Sequence, residues 1–526
     1  MRCALVKMQI KAINPNNVTR RQHNLVAFLL ILPSLYFVAL FFYIALQRIG
    51  YPMELELIEG SPVNHALRIL QGEALYVAPS FEFTPNLYTP LFYYCGAALS
   101  YLMGIGFVSM RAVSVLATLV TFVVIALFVR RETRSTVAAF TATGLYAATY
   151  AASGGWMDLA RVDSLFVVLL LCAVYWMRYA KNTLGVVVSA ILFLLAFYAK
   201  QSALIAAAPL MFYAVLVPAP NTNRFVLPMV FIGLLLFSLG IVDWMTDRWF
   251  TYYTLVMPAG HPNNSNNMRE FWRHDLIQVM PIAIACSLIV IGNSLVNKNK
   301  KDVLFFAILV FAFALTAYLT RINKGGYYNN LMPVYAALAI VFGVFIGKTI
   351  ESLSSSRFFV IATVIAVMTQ FWFLNYDPYD FIPHWEDWNE SERLLNDVRA
   401  IDGNIYALDY GFIGYLAGKK NFSHSTALGD IRLSRYQYWA GIDLHSLVEQ
   451  QMAMMMGALD YNKINGLVLV NESSAAPENK MGNFVLKEHY AGVRHATAWS
   501  QETFWVRSWS TRTMFLRPDT LLYVRE

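Results

Sequence analysis

Long apolar runs separated by short polar breaks occupy the first 374 residues, and the chain then turns polar. The runs fall at 25–46, 93–106, 111–129, 137–153, 165–179, 186–198, 202–217, 225–242, 276–295, 303–319, 331–347 and 358–374. Unbroken apolar stretches of about 20 residues read as membrane-spanning helices, whereas a membrane barrel would alternate over about 10 residues. The first run follows a polar segment holding Arg2, Lys7, Lys11, Arg20 and Arg21 and lacks a small-residue cleavage site before Gln47 and Arg48. It reads as an uncleaved anchor. The run at 93–106 is short and broken by Gly96, Gly104 and Gly106, so it reads as an in-plane or re-entrant segment. About eleven crossings remain. Arg130/Arg131/Arg134, Arg178/Lys181, Arg224, Lys298/Lys300/Lys301 and Lys348/Arg357 then share the side of the amino terminus, as positive-inside requires.

This pattern predicts an all-α polytopic membrane protein over 1–374, with long outer segments at 47–110 and 244–275. A small extracytoplasmic α/β domain is expected over 375–526: short buried strands at 405–408 and 467–470, an amphipathic helix with a Met run at 444–459, and a helix in EDWNESERLLNDVRA. The amino terminus is expected in the cytoplasm, the chain in the plasma (inner) membrane and the tail outside it.

Composition narrows the class. The chain is 57% hydrophobic and 14% charged, against about 25% charged in soluble domains. A disordered chain and an ordinary cytosolic enzyme are excluded. The net charge of +7 is dispersed over loops, which suits a lipid bilayer and not nucleic acid. Cys3, Cys95, Cys172 and Cys286 form no CxxC and no disulfide framework. No internal repeat is visible, which argues against a secondary transporter.

Three groups of polar residues sit where this topology places the outer membrane surface. MELELIEGSPVNHALRILQGEALY carries Glu54, Glu56 and Glu59 just beyond the first crossing. Fully solvated, they make a hydrated juxtamembrane turn. Partly desolvated at the mouth of a membrane cavity, a carboxylate gains proton affinity and can act as general base. Glu59 is the preferred candidate because Gly60 and a helical pattern through Ala66, Ile69 and Leu70 follow it; Glu56 and Glu54 come second. GGWMDLARVDSL holds Asp158, Arg161 and Asp163. Asp158 and Arg161 would pair at i,i+3 on a helix, and an acid here would face the same cavity as Glu59. Arg111, Lys200, Arg321 and Lys324 lie at outer ends of crossings, where positive-inside disfavours them. Each could snorkel to lipid headgroups; converging on one cavity, they would make a phosphate clamp. No His/Cys/Asp spacing resembles a zinc site, and no P-loop or GxSxG occurs.

The stretches IEGSPVNHALRILQGEALY, YTPLFYY, ARVDSL, AKQSAL and GGYYNNLMPVYAAL, which cover most of 54–335, resemble the GT-C glycosyltransferases in their order along the chain. The likeness is to the branch of protein O-mannosyltransferases, lipid A aminoarabinose transferases and their bacterial relatives. The resemblance implies transfer of a sugar from a polyprenyl-phosphate donor to an extracytoplasmic acceptor, whether protein, cell-wall polysaccharide or glycolipid. It implies single inverting displacement, with Glu59 at the base position, Asp158 or Asp163 as second acid and Arg111 as the basic residue opening the second crossing. Lys200, Arg321 and Lys324 would be donor-phosphate contacts. Ile58 stands where the commonest pattern has another acid, which leaves Glu56 as the competing base. No cofactor is required; a divalent metal, as in some relatives, is compatible. The competing classes are a polar-lipid flippase and a non-catalytic scaffold.

Overall fold

Every apolar run becomes a helix. The computed structural model describes residues 15–296, 300–351, 357–407, 410–456, 466–470, 484–490 and 520–525. In chain order come α1 (Pro15–Ile49), α2 (Gly60–Leu70), α3 (Leu91–Met103), α4 (Phe107–Thr133), α5 (Thr136–Ala148), α6 (Asp163–Tyr179), α7 (Thr183–Ala199), α8 (Ala203–Leu216) and α9 (Val226–Met245). The later apolar helices are Pro281–Val296, Lys300–Arg321, Met332–Glu351 and Arg357–Phe373. The 93–106 run is α3; it stops where Gly104 takes a left-handed φ of 79°, then turns through Gly106 into α4.

Among the described residues, five helices are long and apolar enough to cross a membrane, or six if the pair Ser265–Ile277 and Pro281–Asn293, bent by 81°, is one span. The α5 helix has 13 residues, about 20 Å at 1.5 Å per residue, where a bilayer core is about 30 Å. Its chain continues in turns to Gly155 instead of holding the helix expected to 153.

Small residues let the helices approach. A Cβ at Gly144 of α5 would fall on Ser34 of α1, and Cβ atoms at Gly343 and Gly347 would fall on Val129, Ala142 and Thr133. Such contacts supply the van der Waals packing that lipid cannot. The 328–350 span, enclosed by its neighbours, is 94% buried over its apolar window, whereas α9 is 17% buried and lies at the periphery.

The chain's alternation brings charged helix ends together at both ends of the bundle. At one end Arg178 of α6 donates to Glu132 of α4 (3.1 Å) and to Asp302 (2.6 Å). The opposite end holds the close of α1, the starts of α4 and α6, the close of α7 and the 321–330 turn.

The described tail is mixed. Its strands are β1 (Ile405–Ala407), β2 (Tyr438–Trp439), β3 (Ile442–Asp443), β4 (Gly466–Val470), β5 (Phe484–Tyr490) and β6 (Thr520–Arg525). One sheet runs β1-β4-β6-β5, with β1 parallel to β4 and the other pairs antiparallel; β2 and β3 form a separate hairpin. The helix expected after Trp385 is Trp385–Ala400, and that at 444–459 is Leu444–Met456. The side chains of the Met run lie outside the described residues, as do 457–459, Lys298, Arg2, Lys7 and Lys11.

This tail packs directly on the first outer segment. Ser423 Oγ donates to the Ser80 carbonyl (2.6 Å), Asn421 Nδ2 donates to Asn64 Oδ1 (2.9 Å), and the Tyr51 and Ser391 hydroxyls share a 2.6 Å bond. Gly411 lies against the start of α2 so closely that a Cβ would meet the Ser61 nitrogen and the Gly60 carbonyl carbon.

Candidate functional site

Five buried ion pairs crowd the end of the bundle beneath this tail: Arg48–Asp158 (2.9 Å), Arg111–Glu59 (2.7 Å), Arg161–Glu56 (2.8 Å), Lys200–Asp163 (2.6 Å) and Arg321–Asp275 (3.0 Å). Isolated buried charges are prohibitive, and pairing is what lets them persist. Helix ends supply most of them. Arg48 ends α1, Asp163 opens α6 where the helix dipole favours an anion, and Lys200 follows α7.

Glu59 and Arg111 are each fully occupied. Arg111 Nε donates to Glu59 Oε1 (2.7 Å) and Nη2 to Oε2 (2.7 Å). Its remaining donors reach the carbonyls of Arg48 (3.0 Å), Tyr51 (2.5 Å) and Met53 (2.6 Å). All five guanidinium N–H groups are used. Glu59 also accepts from the backbone N–H of Leu55 (2.7 Å) and Ala160 (2.9 Å), which fills the four acceptor positions of a carboxylate. Burial alone would raise the Glu59 carboxyl; the Arg111 guanidinium and these donors outweigh it and hold it below the usual range. A base at Glu59 and a phosphate contact at Arg111 were the sequence expectations. In this geometry neither side chain has a bond left to give: together they fasten residues 48–59 to α4 and to the 160 peptide.

The 158–163 segment also differs from the expected helical pairing. Residues 149–162 form turns and bends, so Asp158 and Arg161 diverge. Asp158 joins Arg48 and accepts from the Tyr150 hydroxyl (3.0 Å). Arg161 crosses instead to Glu56, which also accepts from the Ile58 N–H (3.2 Å). Burial pushes the Glu56 carboxyl up against the pull of Arg161.

Arg161 anchors a second, less saturated group. Its Nη2 donates to the Tyr88 hydroxyl (3.1 Å), and its guanidinium lies over the rings of Tyr88 (5.5 Å) and Trp156 (5.4 Å). Lys200 Nζ, bonded to Asp163 and to Asn330 Oδ1 (2.9 Å), stands 5.9 Å from the same Tyr88 ring. Arg321 is held by Asp275 and by the Gly326 carbonyl (2.7 Å), and it covers the Tyr328 ring. Lys324 is exposed, on a turn tied by its own N–H to the Pro262 carbonyl (2.8 Å). Of the four cations nominated from sequence, three are therefore buried in ion pairs and Lys324 faces outward.

Arg161, which the sequence offered only as a partner for Asp158, stands at this end of the bundle with Tyr88 and Asp430, which the sequence did not single out. Asp430 lies on the Ser425–Leu433 helix, half-buried, close enough to Arg161, Tyr88 and Tyr327 for their charges to interact. Arg161 was visible as a cation in an outer segment, but only the turn at 149–162 aims it at Glu56. Nothing in LGDIRL marks Asp430. Among the described residues no group of three or more His, Cys, Asp or Glu side chains could hold a metal.

Comparison with known proteins fits this architecture. The family described as dolichyl-phosphate-mannose-protein mannosyltransferase matches residues 87–245. ArnT from Cupriavidus metallidurans bound to undecaprenyl phosphate is similar with a TM-score of 0.55 and 11% identity, over 93% of this chain and 97% of that one. The Archaeoglobus fulgidus oligosaccharyltransferase tethered with an acceptor peptide containing the NVT sequon is similar at TM-score 0.50 and 11% identity, over 85% of this chain and 69% of that one. No curated protein matches the sequence. The resemblance to the GT-C glycosyltransferases is borne out in the fold, and the chain is a helical membrane protein.

Proposed function

We propose that the protein is an integral membrane glycosyltransferase that moves a sugar from a polyprenyl-phosphate donor to an extracytoplasmic acceptor. The observation that carries this reading is Arg161: a buried guanidinium with donors to spare, beside Lys200 and Tyr88, at one end of a fold shared with ArnT. A glycosyl phosphate already has a good leaving group. Catalysis then needs cations for the departing phosphate and a carboxylate for the acceptor's proton. The acceptor oxygen attacks the anomeric carbon, the C–O bond to phosphate breaks, and its electron pair leaves on the phosphate. One such displacement inverts the anomeric centre and requires no protein nucleophile.

In this reading Arg161 and Lys324 receive the donor phosphate, and the third Lys200 N–H is available to it. Glu56 holds Arg161 in place, while Glu59, Arg111, Asp158 and Asp163 hold the frame. The amino terminus is placed in the cytoplasm and the tail outside, where it covers the site.

The test is turnover of polyprenyl-phosphate sugars by purified protein added to native-host membranes, followed by mass spectrometry. Wild type is expected to consume one lipid-linked sugar and release the polyprenyl phosphate. Lys324→Ala should raise the donor KM about tenfold, the equivalent of one charge-assisted contact, without lowering the Tm. Glu56→Gln should lower kcat instead. Absence of turnover, together with lipid translocation in vesicles, would replace the reading with a flippase.

A further inference from the structure

We propose that Asp430, from the tail, is the catalytic carboxylate that takes the proton from the acceptor hydroxyl; this rests on the transferase reading above.

The first argument is charge matching. The five buried cations and five acids at this end of the bundle are matched one to one. Glu54 packs under the start of α2, where a Cβ on Gly60 would strike its Oε1. Asp430 stands beside this set and, among the described residues, makes no ion pair or side-chain hydrogen bond. A proton acceptor must have a lone pair free and within reach of the reacting group. Glu59 has none free, and Glu56 keeps only Oε1 open, on a carboxylate whose Oε2 is tied to both Arg161 and the Ile58 N–H.

The second argument is placement. The Ser425–Leu433 helix is pinned at both ends to the segments that build the site. At its start His424 caps the helix, its Nδ1 accepting from the Thr426 N–H (3.1 Å), while its Nε2 donates to the carbonyl of Leu57, the residue after Glu56 (3.0 Å). At its close the Arg435 N–H donates to the Gly260 carbonyl (3.1 Å), and His261 Nε2 donates to the carbonyl of Asp430 itself (2.9 Å). Ala427, Leu428 and Ile431 bury one face, which sets Asp430 at its margin. A helix held this way presents its side chains with the small positional error that proton transfer demands.

The charges that act on Asp430 are those of Arg161, Tyr88 and Tyr327 from the bundle; His261 of the 257–264 turn bonds to its backbone carbonyl, and burial lowers the proton affinity of that ring. On the far side Glu449 is taken by Arg432 (3.1 Å). Burial raises the Asp430 carboxyl to about 7 against the pull of Arg161, the range in which a base is most effective at neutral pH. The step balances. The acceptor O–H proton goes to the Asp430 carboxylate, the new bond forms to the anomeric carbon, and the phosphate leaves as the polyprenyl phosphate anion. The proton then passes to solvent.

The experiment is the pH profile of sugar transfer in native-host membranes, from about pH 5.5 to about 8.5, with wild type, Asp430→Asn and Asp430→Glu. Because the base must be ionised, the wild-type rate should rise with pH through about 7 and then level. Asp430→Asn should lower kcat by about 100-fold or more, remove the rising limb and leave the donor KM unchanged. Asp430→Glu should recover part of kcat with a displaced limb. It also serves if the amide variant does not fold. An Asp430→Asn enzyme within about threefold of wild type at every pH would overturn the assignment while leaving the transferase intact. Lack of wild-type turnover would overturn both.

Discussion

Arg111 commits all five of its N–H groups to one glutamate and three carbonyls. An arginine so placed acts on the fold. Arg111→Leu leaves Glu59 charged, buried and short of two donors, and breaking one side of a buried pair typically costs about 3–5 kcal/mol. The expected outcome is a large fall in Tm in detergent, with loss of donor binding only as a consequence of unfolding. Near-normal Tm with weakened donor binding would return Arg111 to the phosphate site. The same arithmetic shows what a sequence can and cannot display. Outer glutamates and misplaced cations were visible as types at the right end of each span. Which acid takes which cation was not, because partners such as Glu59 and Arg111 or Glu56 and Arg161 lie 52 and 105 residues apart. Arg161 shows the point: it stands three residues from Asp158 and would pair with it on a helix, yet turns direct it elsewhere.

Helices were the most legible elements, since apolar composition sustained over 15–20 residues has few other uses. Their lengths were less so. The α5 helix ends early, and the crossing expected over 276–295 is broken at 278–280, where the 265–293 region bends by 81°. In the tail, short buried runs sufficed to place β1 and β4, although the pairing of β1 with β4 and of β4 with β6 depends on contacts across fifty or more residues. The junction between elements is where one small residue matters most. Gly411 touches the start of α2 backbone to backbone, next to Glu59. Gly411→Val has no room for its side chain and should lift the 410–412 segment away from α2. We expect a drop of at least 1–3 kcal/mol, as in overpacked cores, and greater protease access to the 71–90 loop. Unchanged proteolysis would show that the junction yields without parting.

At the scale of the whole molecule, charge is segregated by role. Among the described residues, one end of the bundle is bound by Arg178, Glu132 and Asp302; the other holds the five matched pairs, and Asp430 and Lys324 stand outside them. The matched set gives rigidity and little net charge, so the unmatched groups dominate what a ligand meets. The tail supplies one of them. Removing residues beyond 400 should therefore abolish transfer even if the helices insert, which membrane extraction and the turnover assay would separate. Full activity without the tail would mean that the bundle alone is the enzyme.

The His424–Leu57 bond closes over 367 residues of chain. At synthesis rates of about 5–20 residues per second, the first loop waits roughly 20–70 s for the segment that completes it. Glu59 meets Arg111 after only 52 residues, so the frame sets early and its cover late. Until then an unfinished chain holds neither Asp430 nor the rest of the tail that packs on the first loop. If transfer uses Asp430 as proposed, the order of synthesis acts as a safety catch: a nascent molecule cannot spend donor before the tail has been made and docked.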